Sequence, residues 1–188
     1  MNLLHRWYCR SDGWAKVVHE YMLPNAFQGL ELGESALEIG PGPGRTTEWI
    51  RERVPALTAI EIDHALAESL KARMAGSNVT VVEGDATRMA FPDESFTGAV
   101  CFTMLHHVPS AGLQDRLLAE TCRVLKPGAV FAGSDSRTSL RFRLYHLMDT
   151  CVPIEASSFA ERLRLAGFDE PHVGGNEYSV WFRARKPL

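Results

Sequence analysis

One segment of the sequence reads Leu37-Glu38-Ile39-Gly40-Pro41-Gly42-Pro43-Gly44. Its apolar start is typical of a short strand and a helical pattern follows, so the alternate glycines predict a loop that a ligand can approach closely. Loops of the G-x-G-x-x-G type place a pyrophosphate on the following helix, but the spacing here is G-x-G-x-G. Glu38 would repel phosphates and attract a cation such as an ammonium or a sulfonium. The segment therefore indicates a loop for a cationic ligand, with a simple strand-to-helix turn as the alternative.

Outward from this loop, strand-like apolar runs alternate with helical apolar spacing, which is the pattern of βαβ units. Strands are predicted at 35–39, 57–62, 78–83, 96–103 and 129–134, with two closing strands at 171–173 and 178–185. Helices are predicted at 46–54, from a cap at Asp63 to about 74, at 112–125 and at 157–165. Lys126-Pro127-Gly128 is expected to end the third of these helices. Between the third and fourth strands, we expect a short helix or none.

These elements predict an α/β fold, as one doubly wound Rossmann-like domain over residues 1–188. Its sheet is expected to be mostly parallel and seven-stranded, with a C-terminal antiparallel hairpin. Residues 1–34 show a broadly helical apolar pattern ahead of the sheet. Residues 35–188 are expected to form the ligand-binding core, with a small insertion at residues 138–153. Ligands of such sheets bind at the carboxyl ends of the strands.

The composition is that of an ordinary globular protein, with 45% hydrophobic and 23% charged residues. The net charge of -3 offers no overall attraction for nucleic acid. Arg137, Arg141 and Arg143 come closest to a basic patch and are interpreted as the solvated face of a helix. The cysteines, which are scattered and lack metal-ligand spacing, are Cys9, Cys101, Cys122 and Cys151. Free thiols and no metal site are therefore expected, and the lack of a secretory signal or bilayer-length apolar run predicts a cytoplasmic protein.

Acidic residues lie at or just beyond the ends of the second and third predicted strands, at the sheet edge where the glycine loop begins. Glu61 and Asp63 lie on the same side of the second strand by alternation, about 20 residues beyond the loop, where nucleotide sites place an acid for ribose hydroxyls. Asp63 directly precedes a helical run and suits its N-cap, so Glu61 is assigned to the ribose. Asp85 offers a carboxylate for an adenine amine and Ala86 a backbone contact, although Gly-Asp is also an ordinary turn.

Together these residues resemble class I S-adenosylmethionine-dependent methyltransferases, most closely the type 11, ubiquinone-biosynthesis-like group that acts on small molecules. The resemblance spans about residues 35–185. Further segments that carry it are Phe91-Pro92-Asp93-Glu94-Ser95-Phe96, Leu105-His106-His107-Val108 and Arg123-Val124-Leu125-Lys126-Pro127-Gly128-Ala129. It implies that the glycine loop cradles the methionine portion of the cofactor, that Glu61 holds the ribose and that Asp85 contacts the adenine. The cofactor-binding residues predicted in this way are Glu38, Gly40, Gly42, Gly44, Glu61, Ile62, Asp85, Ala86 and Thr103.

The same motifs are partly shared with other classes of protein. Ribosomal-RNA adenine dimethylases have similar first motifs but need Asn-x-Pro-aromatic after the fourth strand, where this chain has Cys101-Phe102-Thr103-Met104-Leu105-His106-His107. A nicotinamide oxidoreductase is disfavoured by the glycine spacing. A spermidine-synthase-like aminopropyl transferase and a catalytically inactive module that still binds S-adenosylmethionine stay open, with the inactive module as the leading alternative.

Methyl transfer is an in-line displacement at a sulfonium carbon, so the enzyme must mainly align the acceptor and exclude water. His106 is the predicted catalytic base if the acceptor must lose a proton, although a structural role for it stays open. The resemblance implies that residues 1–34 form a helical lid over the active site, with packing on the sheet edge as an equal alternative, and that the insertion is a substrate-binding addition. These two predicted walls contain Trp7, Tyr8, Trp14, Val17, Val18, Tyr21, Met22, Phe142, Leu144, Tyr145, Leu147 and Met148. They favour a small hydrophobic or aromatic acceptor. No nucleic acid and no integral membrane contact are expected, and a homodimer could close the site.

Overall fold

The structure is a computed structural model that describes residues 11–27, 29–146 and 149–188. Its helices are α1 (Asp12–Val17), α2 (Leu23–Ala26), α3 (Arg45–Ile50), α4 (His64–Arg73), α5 (Ala111–Val124), α6 (Leu140–Tyr145) and α7 (Ala156–Leu165). A π-helical turn (Val18–Met22) joins α1 to α2, and a 3-10 turn covers Leu105–His107. The strands are β1 (Ser35–Ile39), β2 (Ala56–Glu61), β3 (Val79–Glu83), β4 (Phe96–Phe102), β5 (Leu125–Ser136), β6 (Asp169–Gly175) and β7 (Ser179–Arg185).

The strands form one sheet in the order β3-β2-β1-β4-β5-β7-β6. Strands β1 to β5 are mutually parallel, and β7 runs antiparallel to both β5 and β6. Ile39 is in register with Ile60 of β2 and with Cys101 of β4, so the first glycine of the loop leaves the sheet level with the ends of its neighbours. The predicted fold class is therefore confirmed, including the closing antiparallel hairpin.

Each face of the sheet is covered because side chains alternate along the buried strands. Leu37 and Ile39 of β1 face the cluster beneath α5 and α7, which includes Leu117 and Phe159. Ala36, on the opposite face, belongs to the cluster that contains Ile50 of α3 and, from the N-terminal helices, Val18 and Leu23. The N-terminal segment therefore covers the sheet beside β1 and β4, close to their carboxyl ends.

Several predicted boundaries were wrong by a few residues. Helix α3 ends at Ile50 instead of 54, and β6 begins at Asp169 instead of 171. The largest difference is at Lys126-Pro127-Gly128, which lies inside β5 and not in front of it. Leu125 is completely buried and pairs with Phe96, so the strand begins as soon as α5 ends. No helix lies between β3 and β4 in the fully described stretch 84–95, as predicted.

None of the helices in the described ranges has the length and apolarity that a membrane crossing requires.

Candidate functional site

A cavity of about 300 Å³ opens at the carboxyl ends of β1 to β4, where the topology predicts ligand binding. The glycine loop, the acidic ends of β2 and β3, the segment after β4 and the N-terminal helices surround it. The predicted residues that line it are Gly40, Gly42, Glu61, Ile62, Asp85, Ala86 and Thr103. Of the predicted cofactor residues, only Glu38 and Gly44 lie outside this lining.

Glu61 joins the end of β2 to the glycine loop. One of its carboxylate oxygens accepts a hydrogen bond of 2.9 Å from the backbone N–H of Gly42, and the other accepts one of 2.9 Å from Asp63. Burial raises the pKa of Glu61, while these backbone N–H donors act in the opposite direction. The Asp63 carboxylate meanwhile accepts from the backbone N–H of Leu66, as the predicted N-cap of α4. These hydrogen bonds hold the Glu61 side chain at the cavity wall and also fix the position of the glycine loop.

Glu38 lies below the loop and is only 1% exposed. The Thr46 hydroxyl donates a hydrogen bond to its Oε1, but its Oε2 is buried without a hydrogen-bond partner. Burial raises the pKa of Glu38 to about 7, and the Thr46 hydrogen bond only partly offsets this. A buried acid with one unsatisfied oxygen fits a ligand that brings a cationic or hydrogen-bonding group to this loop.

The glycines of the loop have two different functions. Gly40, Gly42 and Gly44 all have positive φ, which favours glycine. A Cβ on Gly42 would meet no other atom within 4 Å, so the backbone there borders open space. A Cβ on Gly44 would lie 2.4 Å from Leu70 Cδ1, so that glycine lets α3 pack closely against α4. Gly42 is therefore the glycine that leaves room for a ligand, and Gly44 the one that holds two helices together.

The remaining predicted residues form the other side of the cavity. The Asp85 carboxylate accepts from the backbone N–H and hydroxyl of Thr87, at 2.9 and 2.8 Å, which fixes its orientation. Ile62 is 70% exposed, an apolar side chain open to a ligand. Thr103 has φ 49°, a strained value for a β-branched residue, and its N–H donates to Ser134 O at 2.7 Å. Strain of this kind is concentrated at functional sites.

Two adjacent histidines differ in their relation to the cavity. His107 lines it, whereas His106 lies outside the lining and is only 2% exposed. His106 Nδ1 is hydrogen-bonded to Asp135, and its Nε2 lies 3.0 Å from Nε2 of His146. Burial lowers the pKa of His146, while the hydrogen bond to the Phe142 carbonyl oxygen opposes that change. The assignment of His106 as the base stays a prediction, and sequence reasoning did not single out Asp135 or His146.

Only some residues of the two predicted apolar walls border the cavity. Trp14 and Val18 line the cavity, so the N-terminal helices do border the site. In the insertion, Phe142 packs against the His106 ring and Leu144 is 60% exposed, and neither lines the cavity. From the described part of the insertion, Asp149 and Thr150 line the cavity, so the cavity surface there is polar although it was predicted to be apolar. The described residues do not include Trp7, Tyr8, Leu147 and Met148, and the side chains of Tyr21 and Tyr145 are not described either.

The chain is similar in sequence to known methyltransferases. The profile of a family described as a methyltransferase domain of type 11 matches residues 37–133, more than half of the chain. Sterol methyltransferase-like 1 of Botryococcus braunii is 35% identical over 124 residues, 63% of this chain and 31% of that protein. Ribosomal RNA small subunit methyltransferase A of Polaromonas sp. is 32% identical over 151 residues, 79% of this chain and 41% of that protein. The chain thus spans about a third to two fifths of the length of these curated relatives.

Solved structures agree on the fold. A phosphoethanolamine N-methyltransferase 2 of Haemonchus contortus, solved with phosphomonomethylethanolamine and S-adenosylhomocysteine, superposes with a TM-score of 0.75. The match covers 98% of this chain and 56% of that one at 16% identity, so it supports the fold alone.

Proposed function

Because the chain belongs to the type 11 family of S-adenosylmethionine-dependent methyltransferases, we propose that it binds this cofactor and methylates a small hydrophobic or aromatic acceptor. The observation that carries the proposal is the pairing of Glu61 with Gly42 across the cavity wall. This pairing sets an acid for ribose hydroxyls beside a glycine loop that leaves room for the rest of the cofactor. The cofactor itself supplies an electrophilic methyl group on a sulfonium.

The residues at the site fit the cofactor's chemistry. Glu61 would accept hydrogen bonds from ribose hydroxyls, and Ile62 with Asp85 and Ala86 would hold the adenine. The glycine loop would take the methionine portion, which carries an ammonium. Glu38 below that loop has an unsatisfied oxygen and ionises more readily when a cation is near. The protein's main catalytic task is then to align the acceptor with the methyl group and to exclude water.

The acceptor class is inferred from the apolar part of the lining. Trp14, Val18, Phe102, Met104 and Val108 contribute carbon-rich surface to the cavity. Such a lining supports an acceptor with a hydrophobic body. The relatives include both sterol and ribosomal-RNA methyltransferases by name. The net charge of -3 and the lack of Asn-x-Pro-aromatic after β4 favour the small acceptor over RNA.

Calorimetric binding of S-adenosylmethionine and S-adenosylhomocysteine tests the cofactor part of the proposal. We expect micromolar binding of both ligands, and its loss in Glu61→Ala. Glu61→Gln keeps an acceptor oxygen and should bind more weakly than wild type but better than the alanine variant. Glu83→Ala is the matched control, because Glu83 ends the neighbouring strand β3 and lies outside the cavity lining. A folded wild-type protein that binds neither ligand at millimolar concentration would overturn the proposal.

Transfer of a labelled methyl group tests the acceptor part. Apolar aromatic compounds, sterols and ribosomal RNA should be offered to the full chain in parallel with S-adenosylmethionine. We expect methylation among the apolar compounds and none of the RNA. Methylation of RNA would contradict the acceptor class, and tight cofactor binding without turnover on any acceptor would favour the inactive binding module.

A further inference from the structure

Three imidazole rings meet beside the cavity, at the end formed by the segment after β4. His106 and His107 belong to the 3-10 turn, and His146 follows α6, forty residues from His106 along the chain. The His106 ring centroid lies 4.2 Å from that of His107 and 4.8 Å from that of His146. One ring nitrogen from each residue lies within 4.8 Å of the others. The three rings thus present their nitrogens to one small volume.

The hydrogen bonds of the Nδ1 atoms define how two of these rings are oriented. Asp135 accepts backbone N–H bonds from His106 at 3.0 Å and from Ser136 at 2.7 Å, so its carboxylate acts as an acceptor and His106 Nδ1 donates to it. His146 Nδ1 lies 2.8 Å from the Phe142 carbonyl oxygen, which can only accept. In the neutral form of each ring, the hydrogen is therefore on Nδ1 and the lone pair is on Nε2.

The Nε2 atoms of His106 and His146 are 3.0 Å apart, so they share either a hydrogen, as a hydrogen bond between the two rings, or a metal ion. The same arrangement, with Nδ1 bonded to a carboxylate or a carbonyl and Nε2 directed inward, is the one by which proteins orient histidine ligands of metals. Two nitrogens on a tetrahedral zinc ion would be about 3.3 Å apart, so the pair needs little adjustment.

His107 supplies a third nitrogen and connects the cluster to the cavity. Bonds of about 2.1 Å to one ion allow nitrogens to be at most about 4.2 Å apart, so the His107 side chain must turn slightly toward the pair. It is only partly buried, whereas His106 and His146 are buried, and it lines the cavity. Three histidines with one open position are the ligand set of catalytic zinc sites.

We propose that His106, His107 and His146 form a zinc site whose open coordination position faces the cavity. Asp135 orients His106, and the Phe142 carbonyl orients His146. The role of this ion rests on the proposed function: it would hold a hydroxyl or thiol group of the acceptor and lower its pKa, so that the group releases its proton to solvent. The resulting oxyanion or thiolate would take the methyl group as the carbon–sulfur bond of the cofactor breaks, which leaves S-adenosylhomocysteine. In this assignment His106 is a metal ligand, in place of the base predicted from the sequence.

Metal titration of the full chain tests the site without reference to activity. Protein stripped with a chelator is titrated with Zn²⁺ against a chromogenic competitor, and with Co²⁺ while the visible absorption is recorded. We expect one ion per chain, bound at micromolar concentration or tighter, and the intense bands of four-coordinate Co²⁺. His107→Ala and His146→Ala should each weaken binding by about tenfold or more, and Asp135→Asn by about 10–100-fold.

Matched controls separate this site from adventitious binding and from the methyltransferase proposal. His64→Ala removes an exposed histidine elsewhere and should leave Zn²⁺ affinity unchanged. Circular dichroism and S-adenosylhomocysteine binding are measured on every variant, so misfolding and loss of the cofactor site are detected independently. Equal Zn²⁺ affinity in wild type and His107→Ala would overturn the site. So would a wild type that binds no stoichiometric ion while it still binds the cofactor product, since a shared proton would then separate the two Nε2 atoms.

Discussion

At the scale of single residues, Glu38 should make the stability of the ligand-free protein depend on pH. Its pKa is about 7 in the folded protein because the carboxyl is buried, against an ordinary value of 4.5. Between these values the folded chain holds a proton that the unfolded chain releases. Stability is therefore highest below pH 4.5 as far as this group is concerned, falls as pH rises through that window, and levels off above about 7.

The expected loss is about 3 kcal/mol of unfolding free energy, from 1.36 kcal/mol for each unit of pKa difference. Urea unfolding between pH 5 and 8.5 measures it, with Glu38→Gln as the comparison because the amide cannot ionise. The difference between the two proteins should change with pH in the direction stated. A Glu38→Gln protein with the same pH dependence as wild type would show that other groups cause it.

The residue scale also shows what the sequence could predict about the site. Glu61, Asp63 and Asp85 were found because each lies at or just beyond the carboxyl end of a strand, and strand ends meet at a known edge. Asp135 and His146 are equally part of the site's surroundings but had no such signal. Asp135 lies inside a buried strand, and His146 approaches His106 only through the folding of an insertion. Contacts of this kind depend on tertiary structure, which spacing in the sequence does not encode.

At the scale of elements, substitutions of two glycines in the loop between β1 and α3 should affect different properties. One should mainly weaken cofactor binding, and the other should mainly lower the stability of the fold. Gly42→Ala places a methyl group at a cavity-lining position with no protein atom within 4 Å. Its left-handed backbone should cost about 1–2 kcal/mol of stability. The affinity for the cofactor should fall by about 10–100-fold, or about 1.4–2.8 kcal/mol, because the methyl group occupies ligand space.

Gly44→Ala is the paired variant, with the opposite balance of effects. The added Cβ would meet Leu70 Cδ1 at 2.4 Å and Arg73 Nη2 at 2.6 Å, so the side chains of Leu70 and Arg73 must move. Stability should fall by about 2–5 kcal/mol, since overpacking adds to the backbone strain. Urea unfolding and calorimetry on both variants make the test. If Gly42→Ala bound the cofactor as tightly as wild type, the cavity beside that glycine would not be the cofactor site.

The start of β5 shows why local sequence patterns did not predict every element boundary. Pro127 and Gly128 normally end helices, which led to a predicted strand start at 129. In the structure Gly128 N–H donates to the Lys186 carbonyl, and the Lys186 ammonium donates to the Leu125 carbonyl. These hydrogen bonds with Lys186 therefore hold residues 125–128 in the strand, although their sequence is typical of a loop. The helix α5, in contrast, depends on local signals, and its bounds were predicted within a residue.

At the scale of the whole molecule, the parallel order of five strands followed from the handedness of βαβ crossovers. The placement of the N-terminal helices over the sheet did not, because amphipathic spacing shows that a helix has an apolar face but not which surface it covers. Trp14 and Val18 lie at the cavity through that placement. The acceptor therefore depends on the part of the fold that local sequence patterns define least.

The whole molecule also responds to ligands, since cofactor that binds only the folded chain must stabilise it. At a concentration 100-fold above the dissociation constant, the gain is about 2.7 kcal/mol. For a chain of 188 residues this corresponds to a rise in Tm of about 5–10 °C. S-adenosylmethionine and S-adenosylhomocysteine should both produce it in wild type and Glu83→Ala, and neither should in Glu61→Ala. Zn²⁺ should raise Tm in Glu61→Ala as it does in wild type, because its ligands are separate from Glu61. A metal effect that disappears together with the cofactor effect would mean that the histidines and the glycine loop are parts of one coupled site.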